Sequence, residues 1–138
     1  MERTTGILLP IFSLPSNQGI GDFGKHTYRL IDAIAKQHIH IWQILPLNPV
    51  GYGNSPYQPY SSFAGDELYI SIDTLADYGL LKQSSIRNYN KFSERVDYEG
   101  VRKFKEPYLR KAFKTFQKNF HEFEQEYQLF TSQSEWLY

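Results

Sequence analysis

Apolar residues run almost unbroken through GILLPIFSL (6–14), between Gly6 and Pro15. A strand covered on both faces has this appearance, as in a parallel sheet flanked by helices. Pro10 restricts such a strand to a sheet edge or an interrupted pairing. The period then changes: Thr27, Leu30, Ile31, Ile34, Ala35 and His38 follow i, i+3, i+4, i+7 spacing. That spacing predicts a helix with one buried face, from an N-cap at Asp22 to about His38. IHIWQILPL (39–47) returns to a strand pattern and stops at Pro46 and Pro49. Strand, helix and strand in succession predict a βαβ unit with a right-handed crossover.

Further along, ELYISID (67–73) alternates Leu68, Ile70 and Ile72, which predicts a shorter strand with these three residues inward. TLADYGLL gives one or two helical turns closed by Gly79. From about Ser84 the chain becomes polar and irregular, until Asp97 caps a long helical pattern. Val101, Phe104, Tyr108, Ala112 and Phe116 form its apolar stripe, continued by Phe120, Phe123 and Tyr127. Pro107 either kinks that helix or marks its first turn. The change near 84 divides the chain into 1–83 and 84–138, a change of layer more than a linker. The layout is α/β, with too few strands to close a barrel or make a well-covered open sheet. It reads as the front of a larger α/β protein, with Trp136 and Tyr138 left without an assigned place.

Composition narrows the function. The 15 basic residues balance the 15 acidic ones, so the chain lacks the electrostatic footprint of a nucleic-acid binder. RKFKEPYLRKAFKTFQK interleaves basic and aromatic residues, but on a helix these fall on separate stripes of an amphipathic face. With no cysteine, disulfides and thiolate sites are excluded. The start MERTTGILLP lacks the layout of a signal peptide, and no apolar run approaches the roughly 20 residues that span a bilayer. These features read as soluble and cytoplasmic. His38 and His40 make a His-x-His pair at the start of the second strand, opposite the usual ligand end, and only His26 and His121 remain as further imidazoles. No metal site is expected from them. Gly19, Gly21 and Gly24 in GIGDFG miss the spacing of a dinucleotide fingerprint and predict a turn with a freely moving backbone.

Aromatics make up 17% of the chain, with eleven Tyr and ten Phe, which leans toward a stacking surface or a bulky core. They concentrate in VGYGNSPYQPYSSFAGDELYISID (50–73), where Tyr52, Tyr57, Tyr60 and Phe63 stand among Gly51, Gly53, Pro56 and Pro59. This segment leaves the carboxyl end of the second strand, the end at which α/β folds bind ligands. Sugars present C–H faces that stack on such rings, and Ser55, Gln58 and Ser61 could bond their hydroxyls. The alternative is that the rings simply cap the open end of the sheet. Asp66, Glu67 and Asp73 are the nearest carboxylates. Retaining glycosidic chemistry needs two of them about 5 Å apart, and no such pair can be assigned from the sequence.

The strings GILLPIFSLPSNQGIGDFG and WQILPLNPVGYGNSPYQPYSSFAGDELYISID, at their observed separation, resemble the start of the 4-α-glucanotransferases, the amylomaltase or disproportionating-enzyme family. The resemblance is strong from about Gly6 to Leu81. It implies the first strands and helices of a TIM (β/α) barrel plus part of a helical insertion, incomplete as given. It also implies transfer of α-1,4-glucan segments between maltodextrins by a retaining double displacement, without metal or organic cofactor. By position, Tyr57 would stack on the sugar at the cleavage point, Ser55 and Gln58 would line the same wall, and Tyr52 would touch glucan further along. The family's nucleophilic aspartate, acid/base glutamate and second aspartate map to no residue here. The implied partner is α-1,4-glucan, with neither nucleic acid nor membrane, and the oligomeric state is left open. A truncated, non-catalytic glucan-binding fragment is the alternative. The chain departs from the family at Asp66–Glu67, where many relatives read Asn-Pro, and at His38, often Gly.

Overall fold

In the computed structural model, which describes residues 3–91 and 94–137, β1 (Gly6–Leu8) and β2 (Ile41–Gln43) pair in parallel. Gly6 lies opposite Ile41, Ile7 opposite Trp42 and Leu8 opposite Gln43. Between them runs α1 (Lys25–Lys36), so the predicted strand–helix–strand order is present. Both strands are shorter than their apolar runs. At Pro10 the backbone has no N–H to extend the ladder, and the chain turns into a 3₁₀ turn over Ile11–Ser13. The ladder ends with the Leu9 N–H donating to the Gln43 carbonyl at 3.0 Å and the Trp42 indole N–H donating to the Leu9 carbonyl at 2.8 Å.

The N-cap of α1 is Gly24, a correction to the expected Asp22. The Asp22 carboxylate does accept the Gly24 N–H at 3.0 Å, but from two residues further back. Gly21 has no room for a side chain, since a Cβ there would lie 1.9 Å from the Ile11 carbonyl oxygen. Gly19 sits at φ = 81°, where a Cβ would meet Tyr89. Close packing, not a freely moving backbone, therefore accounts for the glycines of this turn. At the other end of α1, His38 adopts φ = 58°. The His38 N–H donates to Ala35 O and the Ile39 N–H to Ile34 O, both at 3.0 Å. This is the Schellman closure that glycine fits without strain. Of the predicted buried face only Thr27 is fully buried; Leu30 and Ile34 are half-buried, while Ile31, Ala35 and His38 are exposed.

Residues 67–73 form no strand. Asp66 caps a 3₁₀ turn over Glu67–Tyr69 by accepting the Leu68 N–H at 2.9 Å. Ser71 then caps α2 (Ile72–Asp77) by accepting the Thr74 N–H at 3.4 Å. Two short polar side chains thus offer the backbone local partners that win over strand formation. Leu68 and Ile72 are buried as predicted, but Ile70 is exposed. Gly79, at φ = 73°, closes α2 as expected.

The long helix α3 (Tyr98–Lys118) starts at Asp97, whose carboxylate accepts the Gly100 N–H at 2.9 Å. Pro107 lies in its interior, so it does not mark the first turn. Then α4 (Phe120–Ser132) follows, and Phe116, Phe120, Phe123 and Tyr127 pack ring to ring across the junction. The core has two clusters. Ile20, Leu68 and Val101 make one, while Ile72, Leu81 and Ala112 make the other. Helix α3 contributes to both.

Between the clusters, on the same helix, lies a lysine with no exposed surface. The Lys105 ammonium donates to Leu68 O at 2.7 Å, to Ile70 O at 2.9 Å and to the Asp22 carboxylate at 3.3 Å. Burial pushes the Asp22 pKa up and the Lys105 pKa down, against the attraction between them. Removing one member of such a group leaves the others buried without a partner. Lys105→Met is expected to lower the unfolding free energy by about 3–5 kcal/mol, read as a reduced urea midpoint. An unchanged midpoint would contradict this account of the interior.

Candidate functional site

The aromatic segment is a loop whose ends are fastened together. The Asp66 N–H donates to Leu47 O at 2.7 Å, and the Asn48 side-chain amide donates to Ala64 O at 3.0 Å. Val50 and Pro59 form an antiparallel bridge at the waist. It is flanked by Gly51 N–H to Gln58 O at 3.2 Å and Tyr60 N–H to Pro49 O at 3.1 Å. Gly51 permits this approach, because a Cβ there would stand 2.7 Å from the Gln58 carbonyl oxygen. Local bonds stiffen the limbs: Ser55 Oγ accepts the Tyr57 N–H, and Ser61 Oγ accepts the N–H groups of Phe63 and Ala64. The tip, Tyr52–Asn54, is a 3₁₀ turn with Gly53 at φ = 76° and Asn54 at φ = 54°.

On this frame the rings point outward. Tyr52 is 94% exposed, Tyr60 81%, Phe63 71% and Tyr57 69%. Rings so exposed do not cap the sheet, which removes the alternative of a structural plug. Among the described residues, Phe63 is the one of these four rings with an aromatic partner, stacking on Trp136 with centroids 6.3 Å apart and planes 11° from parallel. Of the polar residues anticipated beside them, Gln58 is exposed and Ser55 is half-buried with its oxygen already accepting a backbone N–H.

The carboxylates near the loop are held in structural roles. Asp66 is buried; one oxygen accepts the Leu68 N–H, and the other accepts the Val50 N–H at 3.3 Å and an Arg102 N–H at 2.9 Å. The second arm of the Arg102 guanidinium bonds Glu67. Asp73 stands in the first turn of α2. Asp66 and Glu67 are thus both engaged by one guanidinium.

Two cavities border the loop between Pro49 and Tyr60. One, of about 540 Å³, lies between Gly51, Asn54 and Tyr60 of the loop and Tyr98, Glu99 and Arg102 of α3. The other, of about 790 Å³, is bordered by Gly53 and Asn54, by Ser13 and Ser16 after β1, and by Tyr89, Arg95, Asp97 and Tyr98. Both combine rings with hydrogen-bonding groups, as a sugar site requires. Tyr57 lines neither. A further cavity of about 580 Å³, between α2 and α3, is walled mainly by Leu75, Leu80, Leu109, Phe113 and Phe116, with Glu106 and Arg110 among its lining.

Sequence reasoning missed Asn54, Tyr89, Tyr98 and Arg102. The segment from 84 to 97 read as an irregular connection, and Tyr89 carried no periodicity to mark it. Phe92 and Ser93, which also fell in that reading, and Tyr138 lie outside the described residues. Among the described residues no three His, Cys, Asp or Glu side chains gather as metal ligands, and His38 and His40 are both exposed. No helix among them is long and apolar enough to cross a membrane.

With this geometry in view, comparison with known proteins is direct. The 4-alpha-glucanotransferase family model matches residues 9–138. The chain is 43% identical to the 4-alpha-glucanotransferase of Synechocystis sp., over 99% of this chain and 28% of that protein. It is 35% identical to that of Thermus thermophilus, over 84% of this chain and 23% of the relative. Among solved structures, an amylomaltase from Streptococcus agalactiae in complex with acarbose matches with a TM-score of 0.86 at 33% identity. That match covers 96% of this chain and 27% of the amylomaltase. The chain belongs to the 4-alpha-glucanotransferase family. It spans about a quarter of the length of these relatives.

At the rim of the larger cavity, Tyr89 donates its hydroxyl proton to the Asp97 carboxylate at 2.8 Å. The Gly100 N–H and then the Tyr89 hydroxyl hold the Asp97 pKa below 3.8. A carboxylate depressed in the folded state adds stability that is complete above its unfolded pKa and is lost as pH falls through the folded one. The Asp97 carboxyl carbon, followed by NMR, should therefore titrate with a midpoint below 3.8. Asp97→Asn should remove that part of the acid sensitivity; a midpoint above 3.8 would contradict the cap.

Proposed function

We propose that this chain forms one wall of the glucan cleft of a 4-alpha-glucanotransferase that moves α-1,4-glucan segments between maltodextrins. In this reading β1, α1 and β2 are the opening elements of a (β/α)₈ barrel, and α3 and α4 belong to a helical insertion. The observation that carries the proposal is a clasped loop presenting Tyr52, Tyr57 and Tyr60 to solvent beside cavities of mixed aromatic and polar lining. A ring held in place before binding loses little conformational freedom when a sugar lands on it. The likeness to an amylomaltase solved with acarbose supports a saccharide as the ligand.

Tyr57 stacks on the sugar at the cleavage point, with Ser55 and Gln58 beside it, and Tyr52 meets the glucan further out. The retaining double displacement needs a nucleophilic carboxylate and a separate acid/base carboxyl group. Asp66 and Glu67 suit neither role, because Arg102 engages both and Asp66 is buried. The resemblance to the family places the catalytic carboxylates at no residue of this chain, so the part proposed here is binding and orientation.

Two measurements test this. Incubated with maltotriose, the 138-residue chain should yield neither glucose nor longer maltodextrins; their appearance would refute the assignment of chemistry elsewhere. Tyr57→Ala should weaken maltoheptaose binding by at least about tenfold, the loss of one central stacking contact. A wild-type chain that binds no maltoheptaose would overturn the glucan reading.

A further inference from the structure

We infer that Arg102 is a positioning residue for the tyrosine loop, acting through the buried carboxylate of Asp66. This deepens the glucan reading and rests on it for its functional consequence. Asp66 is the point where the two ends of the loop meet. Its N–H reaches Leu47 at the outgoing end, and its carboxylate accepts the Val50 N–H, four residues before the tip ends at Asn54. The same carboxylate caps the turn at Leu68.

The Asp66 carboxylate is 2% exposed and accepts two backbone N–H bonds, and a charge so placed calls for a counter-charge. Arg102 supplies it from one turn inside α3, at 2.9 Å, while its other arm engages Glu67. The planar fork of arginine suits two neighbouring carboxylates where the single ammonium of lysine does not. Among the described residues nothing comparable ties the tip, and Tyr52, Tyr57 and Tyr60 are all largely exposed. The direction in which those rings face is thus set at the base of the loop, by a charge on a helix about fifty residues away in sequence.

Native-state amide exchange on the 138-residue chain tests this, using Arg102→Gln, Arg102→Lys and Asp66→Asn. In Arg102→Gln the amides of Val50, Gly51, Tyr60 and Asp66 should exchange about tenfold faster, while interior α3 amides such as Ala112 keep their rates. Arg102→Lys should restore part of the protection. Asp66→Asn removes the charge and leaves one acceptor oxygen where the carboxylate offers two, so it should loosen the loop at least as much as Arg102→Gln. Because Asp66, unlike Arg102, does not line the 540 Å³ cavity, a several-fold loss of maltoheptaose affinity in both variants marks positioning and not lost contact.

Unchanged protection of the loop amides in Arg102→Gln overturns the inference, whatever the titration shows. Uniform loss of protection across α3 overturns it too, by making the pair a general stabiliser. Selective loss in the loop, with a wild-type chain that ignores maltoheptaose, supports the positioning role and overturns the glucan reading alone.

Discussion

The ammonium of Lys105 fastens α3 to two other segments. It uses all its protons on acceptors from the turn before α1, at Asp22, and from the 3₁₀ turn at 67–69 and the residue that follows it, at Leu68 and Ile70. The carbonyls of Leu68 and Ile70 sit where the chain passes from one short helix to the next, and neither is in a ladder that could satisfy it. A buried carbonyl must find a donor, and a lysine on the helix packed across it provides one for both. The negative charge of Asp22 offsets the positive charge brought with that donor. The desolvation of both ions works against the arrangement, as the opposed pKa shifts show. What it secures is register: α3 fits this body in one position only, where the ammonium reaches all three oxygens.

That register then reaches the surface. Arg102 and Lys105 are three residues apart on α3 and so share a helix face, the first meeting Asp66 and the second Asp22. With Val101 filling one core cluster and Ala112 the other, a single face carries apolar contacts and two buried or half-buried cations together. The tyrosine loop leans on this face at its base and is free of the core at its tip. Its rigidity comes from short-range bonds of Ser55, Ser61 and Gly51, and its aim comes from the clasp at Asp66.

The parts of this fold legible in sequence were those governed by one local rule. Asp97 caps a helix, Gly79 closes one, and the apolar runs around Ile7 and Trp42 pair as parallel strands. The exposed loop was legible too, because Gly and Pro exclude regular structure while four rings demand an explanation. The failures came where two signals competed. The alternation of Leu68, Ile70 and Ile72 looked like a strand, yet Asp66 and Ser71 gave the backbone nearer partners. A strand also needs a neighbour, and among the described residues only β1 and β2 have one. The apolar stripe of α3 was read correctly at Val101 and Ala112 but passed over Lys105, since a charged residue counts as surface in any pattern of hydropathy.

The same reasoning explains why so much apolar surface stands open away from the loop. Leu8 on β1 is 59% exposed, Ile41 on β2 49% and Tyr28 on α1 63%. A two-stranded sheet has little stability of its own, and a parallel one is ordinarily covered on both faces. Here one edge of the body, where Lys105 and Arg102 act, is finished to the level of individual hydrogen bonds, while the sheet side is left bare. The finished edge is also the one that supports the exposed tyrosines. The tyrosine loop can therefore be ordered by α3 independently of the sheet side, because the groups that set its geometry are all supplied between Asp22 and Lys105.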